Sequence, residues 1–132
     1  MIRTLLFCVL IVCCLPPSAN GDRPAYDVVV YGGTPGGIAA ALAAGDSGQS
    51  VLLVEPTRRV GGLVTSGLSH TDFHSLESLS GAFLKFADRV ETHYAKTYGP
   101  DSQEVNESYH GTFGEPKVNL VVFQAMLAEQ PR

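Results

Sequence analysis

Six consecutive residues, GGTPGG from Gly32 to Gly37, have the composition of a turn that binds phosphate. A helix N-terminus offers unpaired backbone N–H groups to an anion, and glycine removes the Cβ that would block its approach. The dinucleotide fingerprint G-x-G-x-x-G places glycine at three positions for this purpose. Here Gly32 takes the first position and Gly37 the third, while Thr34 holds the second between Gly33 and Gly36. Taken alone, this imperfect match is also typical of ordinary turns between strands and helices.

An acidic residue follows the turn at the distance that a ribose contact requires. Glu55 lies 23 residues after Gly32, close to the ~20 residues at which dinucleotide-binding proteins place a carboxylate for the ribose hydroxyls. The alternative is a solvated charge at the end of a strand. Five residues further on, the segment EPTRRVGGL contains a second glycine pair, Gly61–Gly62.

The surrounding pattern predicts a βαβ unit that would position these residues. Tyr26–Tyr31 is β-branched and almost continuously apolar, which predicts a strand buried on both faces. The Ala-rich segment Ile38–Asp46 favours a helix, with Gly48 as its stop. Val51–Val54 is a second buried strand, and strand, turn, helix and strand within about 30 residues form a βαβ unit.

The rest of the chain predicts two more helices. Apolar residues recur at steps of three and four from Leu76 to Tyr94, which predicts an amphipathic helix ending at Gly99. The polar segment 101–115 is interpreted as a loop. A helix is predicted from Pro116 to about Glu129, and because its apolar residues lie on all sides, we expect it to be buried.

The motifs together resemble a known family. The pattern DVVVYGGTPGGIAAALAA…VLLVEPTRRVGGLVTSGL…TD resembles the N-terminus of secreted FAD-dependent oxidoreductases of the glutathione-reductase-like superfamily. The resemblance is specific from Tyr26 to Asp72, and in that group GGTP is a familiar variant of the turn. It departs at Leu63, where the amine-oxidase branch usually has arginine, so that branch's chemistry is not carried over.

The resemblance implies an α/β fold, a Rossmann-like FAD/NAD(P)-binding domain with a parallel sheet that is incomplete at the C-terminus, over residues 22–132. It implies FAD as the cofactor and a small-molecule substrate for the complete enzyme. Thr34 becomes a tolerated substitution whose hydroxyl can itself bond a phosphate oxygen. The implied cofactor-binding residues are Gly32, Gly33, Thr34, Pro35, Gly36, Gly37, Glu55, Arg59, Gly61 and Gly62.

The family usually completes its flavin site and places its catalytic residues further along the chain. The sequence is therefore interpreted as an N-terminal part that carries the ADP-half site, and no catalytic residue is assigned. Two alternatives stay open: a fragment of an NAD-binding dehydrogenase, and a truncated product that does not catalyse.

His70 and His74 lie four residues apart with Asp72 between them. On a helix such a pair could share a metal, but the segment has the character of a loop and no third ligand is evident, so no metal site is predicted. Lining of the flavin pocket and plain solvation are the two remaining interpretations.

The first 21 residues have the layout of a secretory signal peptide. Arg3 precedes the 11-residue apolar run Leu5–Leu15, and Ala19 and Gly21 are small residues placed for cleavage before Asp22. The run is too short to span a bilayer, which takes about 20 residues; an uncleaved anchor is the alternative. The three cysteines all lie in this segment, so the mature chain would have none. A secreted or periplasmic location is expected.

The charge balance excludes one class of partner. Thirteen Asp and Glu against nine Lys and Arg give −4, and no basic run is longer than Arg58–Arg59. A nucleic-acid binder needs a basic face, so no nucleic-acid partner is expected.

Overall fold

The computed structural model describes residues 24–130; the predicted signal peptide, residues 1–21, lies outside them. Two strands and five α-helices follow one another: β1 (Val28–Tyr31), α1 (Pro35–Asp46), β2 (Val51–Val54), α2 (Leu63–Ser66), α3 (Gly81–Tyr98), α4 (Gln103–Glu107) and α5 (Pro116–Ala128). A single 3₁₀ turn, Leu76–Ser78, precedes α3. Within this part of the chain, no helix combines the length and the apolar character needed to cross a membrane.

The βαβ unit is confirmed. β1 and β2 pair in parallel with Val28 opposite Val51 and Tyr31 opposite Val54, and α1 packs on both strands. Asp27 fixes the start of this register, because its carboxylate accepts hydrogen bonds from the amide and the hydroxyl of Ser50 at 2.9 and 2.6 Å. The fold is therefore mixed α/β with a two-stranded parallel sheet.

One expectation about β1 is wrong. The strand was expected to be buried on both faces, but Val29 is 61% and Tyr31 77% exposed. The residues alternate along the strand, so that Val28 and Val30 face α1 while Val29 and Tyr31 face the other side. No element within residues 24–130 packs on that second face, and a continuous apolar run cannot by itself show whether a second layer is present.

The main core lies where α1, α3 and α5 meet. Ile38 of α1, Val90 of α3 and Val122 of α5 are buried there, and Phe86 stacks on Phe123 with ring centroids 4.3 Å apart. Each fully buried side chain of this kind contributes roughly 1.5–3 kcal/mol to folding. The core thus joins the βαβ unit to the helical part of the chain.

Two helix starts differ from the sequence predictions, and one short helix was not predicted. α1 begins at Pro35 rather than Ile38, so it includes the second half of the glycine turn. α3 begins at Gly81 rather than Leu76, because Leu79 and Ser80 are extended and interrupt the helical spacing. The segment 101–115 contains the short α4, whose start is capped by the Ser102 side chain accepting from the Val105 amide.

The last helix is confirmed from Pro116, but it is not buried on all sides. Val118, Val122, Phe123 and Met126 are buried, whereas Val121 is 51% exposed. One face of α5 packs against α1, α2 and α3, and Val121 points away from all three.

Candidate functional site: two glycine segments and Glu55

The glycine turn directly continues β1 and crosses to α1. The Gly32 amide donates to the Val54 carbonyl at 2.7 Å, which extends the parallel ladder by one bond. Gly32 then takes φ +104°, a conformation that L side chains rarely adopt. Glycine takes this conformation without steric cost, which explains why the chain needs glycine at this position.

Gly37 is required for a different reason. A Cβ at Gly37 would collide with the Gly32 carbonyl oxygen, because the first turn of α1 passes directly against the end of β1. At Gly36, one residue earlier, a Cβ would meet no protein atom within 4 Å. Gly37 therefore serves the packing of helix on strand, and Gly36 faces open space.

Thr34 has a role that the sequence interpretation missed. It is the N-cap of α1: its hydroxyl accepts a hydrogen bond from the Gly37 amide at 3.2 Å, and Pro35 follows at the first helical position. Threonine before proline is a common sequence signal for a helix start. The hydroxyl proton stays available to a phosphate oxygen, as the resemblance implies.

The start of α1 has the character of an anion site. Neither the Thr34 nor the Gly36 amide donates to an acceptor within residues 24–130, and the first turn of α1 contains no acidic residue. Unpaired amides and the helix dipole together favour a negative group at such a position.

Glu55 lies beside the turn and is held by it. Its Oε2 accepts from the Gly33 amide at 2.7 Å and its Oε1 from the Thr57 amide at 2.8 Å. The hydrogen bonds from Thr57 and Gly33 lower the pKa of Glu55 below its ordinary value, so the carboxylate is ionised at neutral pH. Each oxygen keeps acceptor capacity for a further donor.

The second glycine pair packs against the same turn. The Gly61 amide donates to the Gly33 carbonyl at 2.6 Å. A Cβ at Gly62 would lie 3.5 Å from the Pro35 Cδ. The two glycine segments are separated along the chain, but they are neighbours in space and form one surface.

The side chains around the pair hold it from behind. Gly61 has φ +95°, and a Cβ there would collide with Thr65 and lie 2.9 Å from the Phe123 ring. The Thr65 hydroxyl donates to the Val60 carbonyl at 2.7 Å, and Arg59 Nη1 donates to the Thr65 carbonyl at 2.8 Å. One nitrogen of Arg59 is thus used within the chain, and its role toward a cofactor stays a prediction.

An apolar cavity of about 320 Å³ opens beside the turn. It runs from Pro35 and Gly36 between α1, α3 and α5, and Val64, Thr71 and Phe83 contribute to its wall. Phe83 is one of the apolar residues whose helical spacing from Leu76 to Tyr94 predicted an amphipathic helix. Spacing identifies the inner face of a helix but cannot distinguish a filled core from a cavity.

The two histidines do not converge with the site. His70 packs on the Phe113 ring with centroids 4.4 Å apart, and both His70 and His74 are exposed. Among residues 24–130, no three or more His, Cys, Asp or Glu side chains group as metal ligands do. Thr71, between the two histidines, is the residue of this loop that reaches the cavity.

A comparison of the sequence with models of known protein families identifies the family of the chain. The family model described as FAD dependent oxidoreductase matches residues 27–131. The chain belongs to this family. Membership implies an FAD cofactor and a general FAD-dependent oxidoreductase function, and it settles the choice between FAD and NAD. No curated protein and no solved structure matches the chain significantly.

The residues present fit an FAD cofactor of the family. The open space at Gly32 and Gly36 leaves room for a phosphate group, since a Cβ at either position would meet nothing within 4 Å. The Thr34 and Gly36 amides, which have no acceptor within residues 24–130, would be available as donors to phosphate oxygens, and Glu55 would be available as an acceptor for ribose hydroxyls.

Proposed function

We propose that this chain binds the ADP half of FAD in a secreted FAD-dependent oxidoreductase. The observation that carries the proposal is the start of α1: the amides of Thr34 and Gly36 donate to no acceptor within residues 24–130, and Thr34 directly follows Gly33, whose amide donates to Glu55. Pyrophosphate at the helix start and ribose at Glu55 would make use of donor and acceptor chemistry on the same surface.

Each part of the surface has a task in this proposal. The amides of Thr34 and Gly36 bind pyrophosphate oxygens, the ionised Glu55 accepts from the ribose, and Gly61–Gly62 let the backbone approach the cofactor from the other side. Bound FAD supplies the centre that takes electrons from a small-molecule substrate. We assign no catalytic residue to the chain's own side chains, whose contribution is binding and orientation.

The exposed face of β1 supports the proposal that the chain is an N-terminal part of the enzyme. Parallel strands are normally covered on both faces, yet Val29 and Tyr31 are exposed on theirs. We propose that further polypeptide of the enzyme covers this face.

Titration of the chain with ADP by isothermal calorimetry tests the site. We expect saturable binding of ADP and FAD, weaker binding of AMP, and loss of binding in Gly36→Val. That variant adds bulk only to open space, so circular dichroism should show an unchanged fold. Absence of ADP binding at millimolar concentration, or Gly36→Val binding ADP like the parent, would contradict the proposal.

Export is proposed from residues 1–21 and is tested separately. Mass spectrometry of protein recovered outside the cytoplasm should give a mature chain beginning at Asp22. A protein that stays in the cell and begins at Met1 would contradict it.

A further inference from the structure

A buried side-chain amide on α5, that of Asn119, is not among the site residues described above. Asn119 is 3% exposed and lies on the otherwise apolar inner face of the helix. Burying a polar side chain is unfavourable unless it is hydrogen-bonded. A leucine of similar size would be the ordinary residue at such a position, so the contacts of Asn119 indicate what the amide is for.

The Asn119 side chain connects α5 to the second glycine segment. Its Nδ2 donates to the Val64 carbonyl and to the Gly114 carbonyl, both at 2.9 Å. Val64 lies in α2, two residues after Gly62 and 55 residues before Asn119 in the chain. The amide therefore joins two segments that are distant in sequence.

The glycine segment needs such a connection. α2 is a single turn of four residues, and an isolated helix of that length is unstable in water. Phe123 lies four residues after Asn119 on the same face of α5, and its ring lies 2.9 Å from the position that a Cβ of Gly61 would take. Asn119 and Phe123 thus hold the two ends of the segment Gly61–Val64.

The orientation of the amide is fixed by its surroundings. Nδ2 lies between two carbonyl oxygens, so it must be the donor group. Oδ1 has no hydrogen-bond partner within residues 24–130, and it lies so close to Gly114 that a Cβ there would collide with it. The contacts are made by the donor alone, and a residue of the same shape without N–H groups could not replace them.

We propose that Asn119 is a positioning residue of the FAD site. By holding the Val64 carbonyl it keeps α2 in place, and through α2 it keeps the Gly61–Gly62 backbone against the turn Gly32–Gly37. Asn119 does not touch the cofactor. The inference rests on the proposed function, in which that backbone faces FAD.

Two variants remove the donors in different ways. Asn119→Asp keeps the shape and places oxygen opposite two carbonyls, and Asn119→Leu removes the polar group altogether. Val118→Ala is the control, because it removes buried packing from the neighbouring position on α5. Asn119→Leu is the variant to use if the aspartate prevents folding, since it buries no charge.

Two measurements separate positioning from general stability. Hydrogen exchange of amides 63–68 should become roughly 10-fold faster in both Asn119 variants while amides 35–46 keep their protection. ADP affinity should fall roughly 10-fold. Val118→Ala should lower the melting temperature but leave ADP affinity and the relative protection of 63–68 unchanged.

The outcomes distinguish this inference from the proposed function. If the parent does not bind ADP, the proposed function fails, whatever Asn119 does to exchange. If the parent binds ADP and the Asn119 variants exchange and bind like it, Asn119 positions nothing. If exchange at 63–68 rises but ADP affinity is unchanged, or if Val118→Ala behaves like the Asn119 variants, the role is structural and the inference is overturned.

Discussion

The two glycine segments of the site are held by different parts of the chain. The turn Gly32–Gly37 is fixed by its immediate neighbours: the ladder bond from Gly32 to Val54, the Thr34 cap, and the contact of Gly37 with the Gly32 carbonyl. The pair Gly61–Gly62 is fixed from α5, by Phe123 against Gly61 and by Asn119 through Val64.

This difference separates a local motif from a dependent one. The turn needs only the βαβ unit, because strand, cap and helix are contiguous in sequence. The pair needs a helix that begins more than 50 residues later, so its geometry forms only when the core between α1, α3 and α5 has formed. Substitutions in the turn should therefore alter the site directly. Substitutions in the pair Gly61–Gly62 should alter it through the packing of α5.

The largest effect is expected from Gly37→Val. The added side chain would overlap the Gly32 carbonyl oxygen, and backbone cannot move aside as a flexible side chain can. We expect loss of the folded chain, seen as loss of the cooperative thermal transition in circular dichroism. Gly36→Val is the matched control, which should fold. A Gly37→Val protein that folds and binds ADP would show that the helix can move away from the strand.

The second glycine segment should show a graded response. Gly61→Ala combines a positive φ, which costs roughly 1–2 kcal/mol, with overpacking against Thr65 and Phe123, which typically costs about 1–3 kcal/mol. Gly62 has φ +56° and ψ −135°, a combination that L residues rarely adopt, but a Cβ there makes only an ordinary contact with Pro35, so Gly62→Ala should cost about 1–3 kcal/mol from backbone strain alone. Urea denaturation measures both, and equal losses would show that Phe123 and Thr65 give way freely.

The βαβ unit and its glycine turn were predicted well from the sequence. The order strand, glycine turn, helix and strand is encoded by contiguous patterns, and Glu55 follows from a fixed distance to the turn. The close approach at Gly37 and the positive φ at Gly32 are what the fingerprint requires, and both are present.

The contacts that hold the pair Gly61–Gly62 from α5 could not be predicted in the same way. Asn119 lies in an apolar helix and donates to the backbone carbonyl of Val64. Because every residue has such a carbonyl, the sequence does not indicate which one Asn119 binds. The start of α3 was wrong because Leu76 and Leu79 continue the helical spacing although the backbone at Leu79 is extended. Periodicity reports which residues face the core, and the same residues can do so from a 3₁₀ turn.

Glu55→Gln tests the polar part of the turn without removing its shape. The amide can accept only through one oxygen, so one of the bonds from Gly33 and Thr57 is lost along with the charge. Loss of a charge-assisted bond to the ribose should weaken ADP binding roughly 10- to 150-fold. Calorimetry measures the change. The control ligand is an ADP analogue that lacks the 2′- and 3′-hydroxyls of the ribose. An unchanged affinity would make Glu55 a surface charge.

The same carboxylate predicts an acid dependence. Because the pKa of Glu55 is lower in the folded chain, its contribution to stability is present above the pKa of the unfolded chain and is lost as pH falls through the folded value. The stability difference between the parent and Glu55→Gln should therefore shrink on acidification. Asp27, whose pKa is lowered by hydrogen bonds from Ser50, still destabilises both proteins in acid. A difference that stays constant down to the acid transition would contradict the assignment.

The smallest effect is expected at Thr34, the position that departs from the fingerprint. The hydroxyl caps α1 by accepting from the Gly37 amide, and replacing such a cap with alanine costs about 1 kcal/mol, whereas glycine costs only a few tenths. Thr34→Gly should thus bind ADP nearly like the parent, and Thr34→Ala should melt lower while retaining the site. Thermal melts and ADP titration of the pair measure this order. If Thr34→Gly binds ADP tenfold more weakly while melting like the parent, the hydroxyl is a phosphate ligand in its own right, and the turn owes its affinity to a side chain as well as to its backbone.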